Sequence, residues 1–119
     1  MVENKDKRKF LRVNKSLAVE YREEGQKENS LNRTFLQDIS VGGGCIITYR
    51  NYNPGHILYL QISIPVDPKQ CVDIKARVIK SLHESGYRYS TRMQFLDLNR
   101  EQKNIIHEFV EWVHSIRGL

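Results

Sequence analysis

The sequence predicts a mainly β fold: a closed antiparallel barrel of about six short strands, preceded by a flexible basic N-terminal arm and followed by one α-helix. Three observations carry this expectation. Several segments alternate apolar and polar residues with the period of a half-buried strand, turn-forming residues fall between them at near-even spacing, and the C-terminal stretch switches to helical period. The 119 residues suit one domain. So short a chain removes its sheet edges most economically by closing them, which favours a barrel over a sandwich.

The arm is residues 1–12, and the barrel with its helix takes residues 13–119. Leu17, Val19 and Tyr21 alternate with Ala18, Glu20 and Arg22 in the first strand. Two β-rich but less regular strands follow, at about residues 30–38 and 44–50. Leu58, Leu60, Ile62 and Ile64 alternate in the next. Val72, Ile74, Ala76 and Val78 form the inner face of another, and Tyr87, Tyr89, Thr91, Met93 and Phe95 that of the last. Turns are expected at Glu24-Gly25, at the Gly42-Gly43-Gly44 run, at Asn53-Pro54-Gly55, between Pro65 and Pro68, and at Ser85-Gly86. Ile105, Ile106, Phe109, Val110, Trp112, Val113 and Ile116 then make one stripe on a helix over about residues 100–117. Asn99 with Gln102 resembles a capping box, and Gly118 suits the helix end.

Hydrophobic residues make up 39% and charged residues 28%, the balance of a soluble globular protein. No apolar run is long enough to span a bilayer, and the charged N-terminus is no signal peptide, so a cytoplasmic protein is expected. Met1 and the clean helix end favour a complete chain. Cys45 and Cys71 are too few for a disulfide scaffold or a zinc site, and both are expected as buried free thiols. The net charge is +5, of which the arm supplies +3 through Lys5, Lys7, Arg8, Lys9 and Arg12 against Glu3 and Asp6. Such an arm suits an anionic partner.

Two elements stand out chemically. Arg8 and Arg12, four apart, share a side in either helical or extended backbone. Two guanidiniums on one side can fork onto phosphate oxygens or the O6/N7 edge of guanine, or stack on a purine. Asp38-Ile39-Ser40-Val41-Gly42-Gly43 runs from a strand end into a glycine turn. There glycine lets backbone approach a ligand, the serine hydroxyl can donate to phosphate, and a carboxylate can accept from N1–H and the 2-amino group of guanine.

Together, in this order and on this fold, the two elements resemble the PilZ family, whose signature is RxxxR followed by DxSxxG. Arg8 and Arg12 match the first motif; Asp38, Ser40 and Gly43 match the second. Residues 36–43 look like the family's second-to-third strand junction, and residues 93–96 with 99–107 like its last strand and closing helix. The resemblance implies a six-stranded barrel that binds cyclic di-GMP on its outside, between arm and barrel. By that carry-over Arg8 and Arg12 contact guanine and phosphate, Asp38 reads a guanine edge, and Ser40 and Gly43 support the ligand. Lys7, Lys9 and Gly42 are possible additional contacts, Lys7 as a cation favouring a stacked ligand pair. The expected device is a mobile arm that folds over the ligand and presents a new surface to a protein partner controlling motility, attachment or exopolysaccharide output.

Other chemistries fit less well. His107, Glu111 and His114 share a helix face, but it lies opposite the apolar stripe and no fourth ligand is apparent, so no metal is expected. His56 and His83 lack a visible catalytic partner. Ser40 is no nucleophile elbow, because Asp38 stands where that motif needs glycine, and the triple glycine lacks the Lys-Ser/Thr of a phosphate-binding loop. Neither an enzyme nor a cofactor is expected. Two rivals remain: a PilZ-like adaptor that binds its partner without ligand, and a small single-stranded nucleic-acid barrel using the arm and exposed tyrosines. Intact motifs disfavour the first. The second would show steep salt dependence with oligonucleotides, and DNA binding is not expected.

Overall fold

Alternation sorts each strand into an inner and an outer face, and the inner faces meet. In the computed structural model the elements are β1 (Arg12–Val13), β2 (Leu17–Glu23), β3 (Asn32–Ser40), β4 (Gly43–Thr48), β5 (Ile57–Ile64), β6 (Gln70–Ser85), β7 (Arg88–Leu96) and α1 (Arg100–Arg117). Residues 12–13, 16–25, 32–65 and 70–117 are described. All pairings are antiparallel, in the order β3-β2-β5-β6-β7-β4, and a β3–β4 ladder closes the ring. Six strands therefore make the barrel, as expected. Strand β1 adds to β3 at residues 39–40, beyond the stretch 32–36 that pairs with β2.

The predicted inner residues of β2, β5 and β6 are all buried, with Leu58, Ile62, Ile64 and Ala76 fully so. Each such aliphatic side chain contributes roughly 1.5–3 kcal/mol by leaving water. Helix α1 lies against β3 and β1 and adds Ile106, Phe109, Val110 and Val113 to the same core. Its capping box is present: the Gln102 amide donates to Asn99 Oδ1 at 2.8 Å, and the Asn99 amide to Gln102 Oε1 at 2.7 Å.

The structure departs from the sequence reading at five places. The two irregular strands are shifted: β3 runs to Ser40 and β4 starts at Gly43. The turn is thus at Val41–Gly42, and Gly43 and Gly44 belong to a strand because β7 and β3 approach them too closely for a side chain. Tyr87 sits in the β6–β7 turn beside Gly86 (φ 54°), where no strand opposes it, and is 84% exposed. Strand β6 outruns the barrel by seven residues, 79–85, which pair with β7 alone. Cys71 is exposed because Val72 and Ile74 occupy the inner face and leave it opposite Ser63 on the outside. Trp112 and Ile116 are half exposed, so the helix stripe is narrower than its apolar composition. Among the described residues no helix is long and apolar enough to cross a membrane.

Candidate ligand site on the outer barrel face

Strand β4 is buried on both faces, which is unusual for a barrel strand. Its inner residue Ile46 joins the core, while Cys45 and Ile47 lie outside that cluster and are buried nonetheless. On the outer side Cys45 stands between Asp38 of β3 and Arg92 of β7, so the three residues form a row across three strands. Arg92 spans the row: Nη2 donates to Asp38 Oδ2 at 3.1 Å and Nη1 to Oδ1 at 3.4 Å. The carboxylate side chain is 12% exposed and the guanidinium 32%. This is a two-pronged, charge-assisted pair on a partly buried surface.

A second polar layer supports the first. Gln37, at a register shift in β3, accepts from Ser90 Oγ at 3.1 Å and from Cys45 Sγ at 3.5 Å. Cys45 and Ser90 also touch at 2.9 Å. Burial pushes the Cys45 thiol above its ordinary pKa, so it stays protonated at neutral pH and is no nucleophile.

The turn after β3 is fastened from within. Ser40 is buried, and its hydroxyl donates to the Gly43 carbonyl at 3.3 Å, while the Phe95 amide donates to the Gly42 carbonyl at 3.0 Å. A Cβ on Gly43 would run into the backbone carbonyl of Met93, and one on Gly44 would lie 2.7 Å from the Asp38 carbonyl. Both glycines are required by crowding, not by backbone angle. The ladder of β1 then brings the end of the leader to this point, with Arg12 opposite Ser40 and Val13 opposite Ile39. Asp38 lies two residues back along the same strand.

The PilZ domain family model matches residues 6–112. The chain belongs to the PilZ domain family. Solved PilZ structures share its fold. A Bacillus subtilis inhibitor of motility, MotI/DgrA, superposes with a TM-score of 0.81 at 16% identity, over 94% of this chain and 53% of that one. The isolated PilZ domain of Escherichia coli YcgR, solved with cyclic di-GMP, gives 0.68 at 12% identity, over 94% and 95% of the two chains. A YcgR structure in complex with cyclic di-GMP gives 0.66 at 13% identity, over 93% of this chain and 47% of that one. The chain thus spans about half the length of MotI/DgrA. No curated protein matches it.

Of the PilZ signature, Asp38, Ser40 and Gly43 come together at the β3–β4 turn with Gly42, and the backbone of Arg12 pairs beside them. Arg8, Lys7 and Lys9 lie outside the described residues. Arg92 is the residue that sequence reading missed. It falls between Thr91 and Met93, at an outward position of the last strand, and nothing local ties it to an aspartate 54 residues earlier. A cleft of about 630 Å³ lies elsewhere. It lies over β2, β5 and β6, where the Arg22 guanidinium stacks 4.7 Å above the Tyr59 ring, and shares no residue with the PilZ motif. The histidines are placed peripherally: His107 and His114 are exposed on α1, and His83 contacts the Gly86 carbonyl. His56 sits 3.5 Å from Glu23, whose carboxylate also takes Tyr52 and Arg50. Among the described residues no group of side chains is arranged to hold a metal.

Proposed function

We propose that this PilZ chain is a cytoplasmic, non-enzymatic receptor for cyclic di-GMP, bound on the outer face between the basic leader and the β3–β4 turn. The observation that carries this reading is the register of β1, which sets Arg12 beside Ser40 and so joins the RxxxR end to the DxSxxG end. Arg8 and Arg12 supply guanidinium forks for phosphate and guanine, and Asp38 accepts from N1–H and the 2-amino group of a base. Ser40 and Gly43 support the ligand by holding the turn, and Lys7, Lys9 and Gly42 add contacts at its margin. The partly buried Asp38–Arg92 pair favours the reading, because it holds a carboxylate at the turn where the two motifs meet. PilZ domains are receptor or effector domains, and one YcgR structure is a complex with this ligand.

Binding then draws the leader over the ligand, and the rearranged leader offers a surface to a protein partner in motility, attachment or exopolysaccharide output. Calorimetric titration with cyclic di-GMP, cyclic di-AMP and a short oligonucleotide tests the first step. Cyclic di-GMP alone should bind, and Arg8→Ala or Arg12→Ala should each weaken it about ten-fold or more. No heat with cyclic di-GMP from a folded protein sinks the receptor reading and leaves a ligand-independent adaptor. The arm movement is checked by amide exchange of residues 5–13, which saturating ligand should slow; unchanged exchange removes the switch.

A further inference from the structure

Strand β6 continues past the barrel as one half of a two-stranded ribbon. Its last pairing with β5 sets Arg77 opposite Ile57, and residues 79–85 pair with β7 alone. Among the described residues, no strand covers the other edge of that stretch. Such an edge offers a row of backbone N–H and C=O groups to an extended chain. A two-stranded ribbon is also marginal by itself and gains from further strands.

The side chains along the edge decide which chain fits. Between the register shifts at Val78/Lys80 and His83/Ser85, β6 pairs regularly with β7, and Lys80 and Leu82 stand opposite Arg92 and Ser90. Those two residues contact Asp38 and Cys45, so Lys80 and Leu82 share the outer face with them. Glu84 follows at the same two-residue spacing, and its charge acts on the Cys45 thiol. Leu82 is 55% exposed. Neither Lys80 nor Glu84 has an ion-pair or hydrogen-bond partner among the described residues. Four residues apart on a strand, they are separated by about 13 Å and cannot reach each other.

We propose that this edge recognises itself: two copies of the chain pair β6 to β6, antiparallel, about a two-fold axis at Leu82. A two-fold contact requires that whatever residue i meets on the second copy, that residue's counterpart meets i in return. Centred on Leu82, the sequence satisfies this. Leu82 packs on its own counterpart, and each Lys80 stands opposite the second copy's Glu84. Directly opposed side chains on neighbouring strands lie about 4.5–5.5 Å apart at Cβ, close enough for an ion pair. Charges on a free edge ordinarily keep strands apart. Here they have opposite signs and equal spacing about one exposed leucine, so they turn away other strands and admit a copy. A four-stranded ribbon, β7-β6-β6-β7, results. Only about five residues of each copy pair, well short of a standard stable interface, so the dimer is weak and reversible. The contact needs no nucleotide.

Sedimentation equilibrium without ligand, from about 10 μM to about 1 mM, should show a monomer–dimer equilibrium. Lys80→Glu sets carboxylate opposite carboxylate at both ends of the pairing, and Glu84→Lys sets ammonium opposite ammonium. Each should weaken dimerisation about ten-fold or more. An equimolar mixture of the two variants should recover it as a heterodimer, and the Lys80→Glu/Glu84→Lys double variant as a homodimer, both within about three-fold of wild type. Thermal unfolding midpoints should stay at the wild-type value, because the ribbon lies outside the barrel. Leu82→Asp, which opposes two carboxylates at the axis, should give the same loss and serves if a charge variant does not fold. Monomer at every concentration overturns the proposal. So does a dimer that the charge reversals leave intact, or one that neither the mixture nor the double variant restores.

Discussion

The two sides of this barrel are built from the same alternating strands but treat their outward residues differently. On the β2–β5–β6 side they are what a solvated strand surface requires. Glu20 pairs with an Arg33 whose side chain is 87% exposed, Gln61 reaches exposed Asp73, and Cys71 lies open beside Ser63. On the β3–β4–β7 side the outward Asp38, Cys45 and Ile47 are buried and Asp38 and Cys45 are tied into one network. A barrel has no need of this to fold, since its inner face alone makes the core. The second buried surface therefore lies on the outside of the barrel, and the DxSxxG residues stand there.

That contrast can be broken most forcibly at Gly43. Gly43→Ala drives a Cβ into the Met93 carbonyl, and neither strand can yield without loosening the β4–β7 ladder. A loss of about 3 kcal/mol is expected in urea denaturation. Gly55→Ala, beside β5, meets no atom within 4 Å and suffers only its positive φ of 91°, so about 1 kcal/mol is expected. Equal losses would mean that the crowding on β4 is not real.

Aspartates on the two sides should separate next. Asp38→Ala leaves the Arg92 guanidinium, two-thirds covered, without its carboxylate, and about 2 kcal/mol is expected after allowing for solvent screening. Asp73→Ala on the open side should cost less than about 0.5 kcal/mol by the same measurement. Thiol labelling sharpens the comparison without mutation. Cys71 should react with an aromatic disulfide reagent at once, and Cys45 more slowly by about ten-fold or more, until the protein unfolds.

The smallest effect is in pH. Burial raises the pKa of Cys45, and likewise of Tyr21 in β2 and of Tyr52 in the loop between β4 and β5. The unfolded chain therefore loses these protons first. Stability is full below the ordinary thiol value of 9.0, then falls as pH rises through it and through the ordinary tyrosine value of 10.0. Urea midpoints between pH 8 and about 10.5 should decline accordingly, and Cys45→Ala should flatten the first part of the decline. A midpoint that rises with pH contradicts the burial of all three groups.

What could be read before the structure follows from the range of each interaction. The inner faces of β2, β5 and β6 and the cap and span of α1 were legible, because period and capping are local properties of the chain. The β3–β4 turn was legible as chemistry but not in its boundaries. The triple glycine reads as a loop, whereas two of its glycines serve a close strand approach that only the tertiary neighbours reveal. Cys71 was misread because an apolar neighbourhood in sequence says nothing of parity on a strand. Arg92 was invisible as a site residue, since its meeting with Asp38 depends on two ladders and on the register shift at Gln37.

The short β1 ladder bears on how quickly and cheaply a leader of this kind can act. With the backbone of Arg12 paired opposite Ser40, the proposed grip by Arg8 would close a ring of only about four residues. Ring-closure entropy grows as the logarithm of length, so so tight a tether gives up little freedom when it shuts. On the proposed reading, a tether of that length also favours recapture over escape even when each single contact is weak.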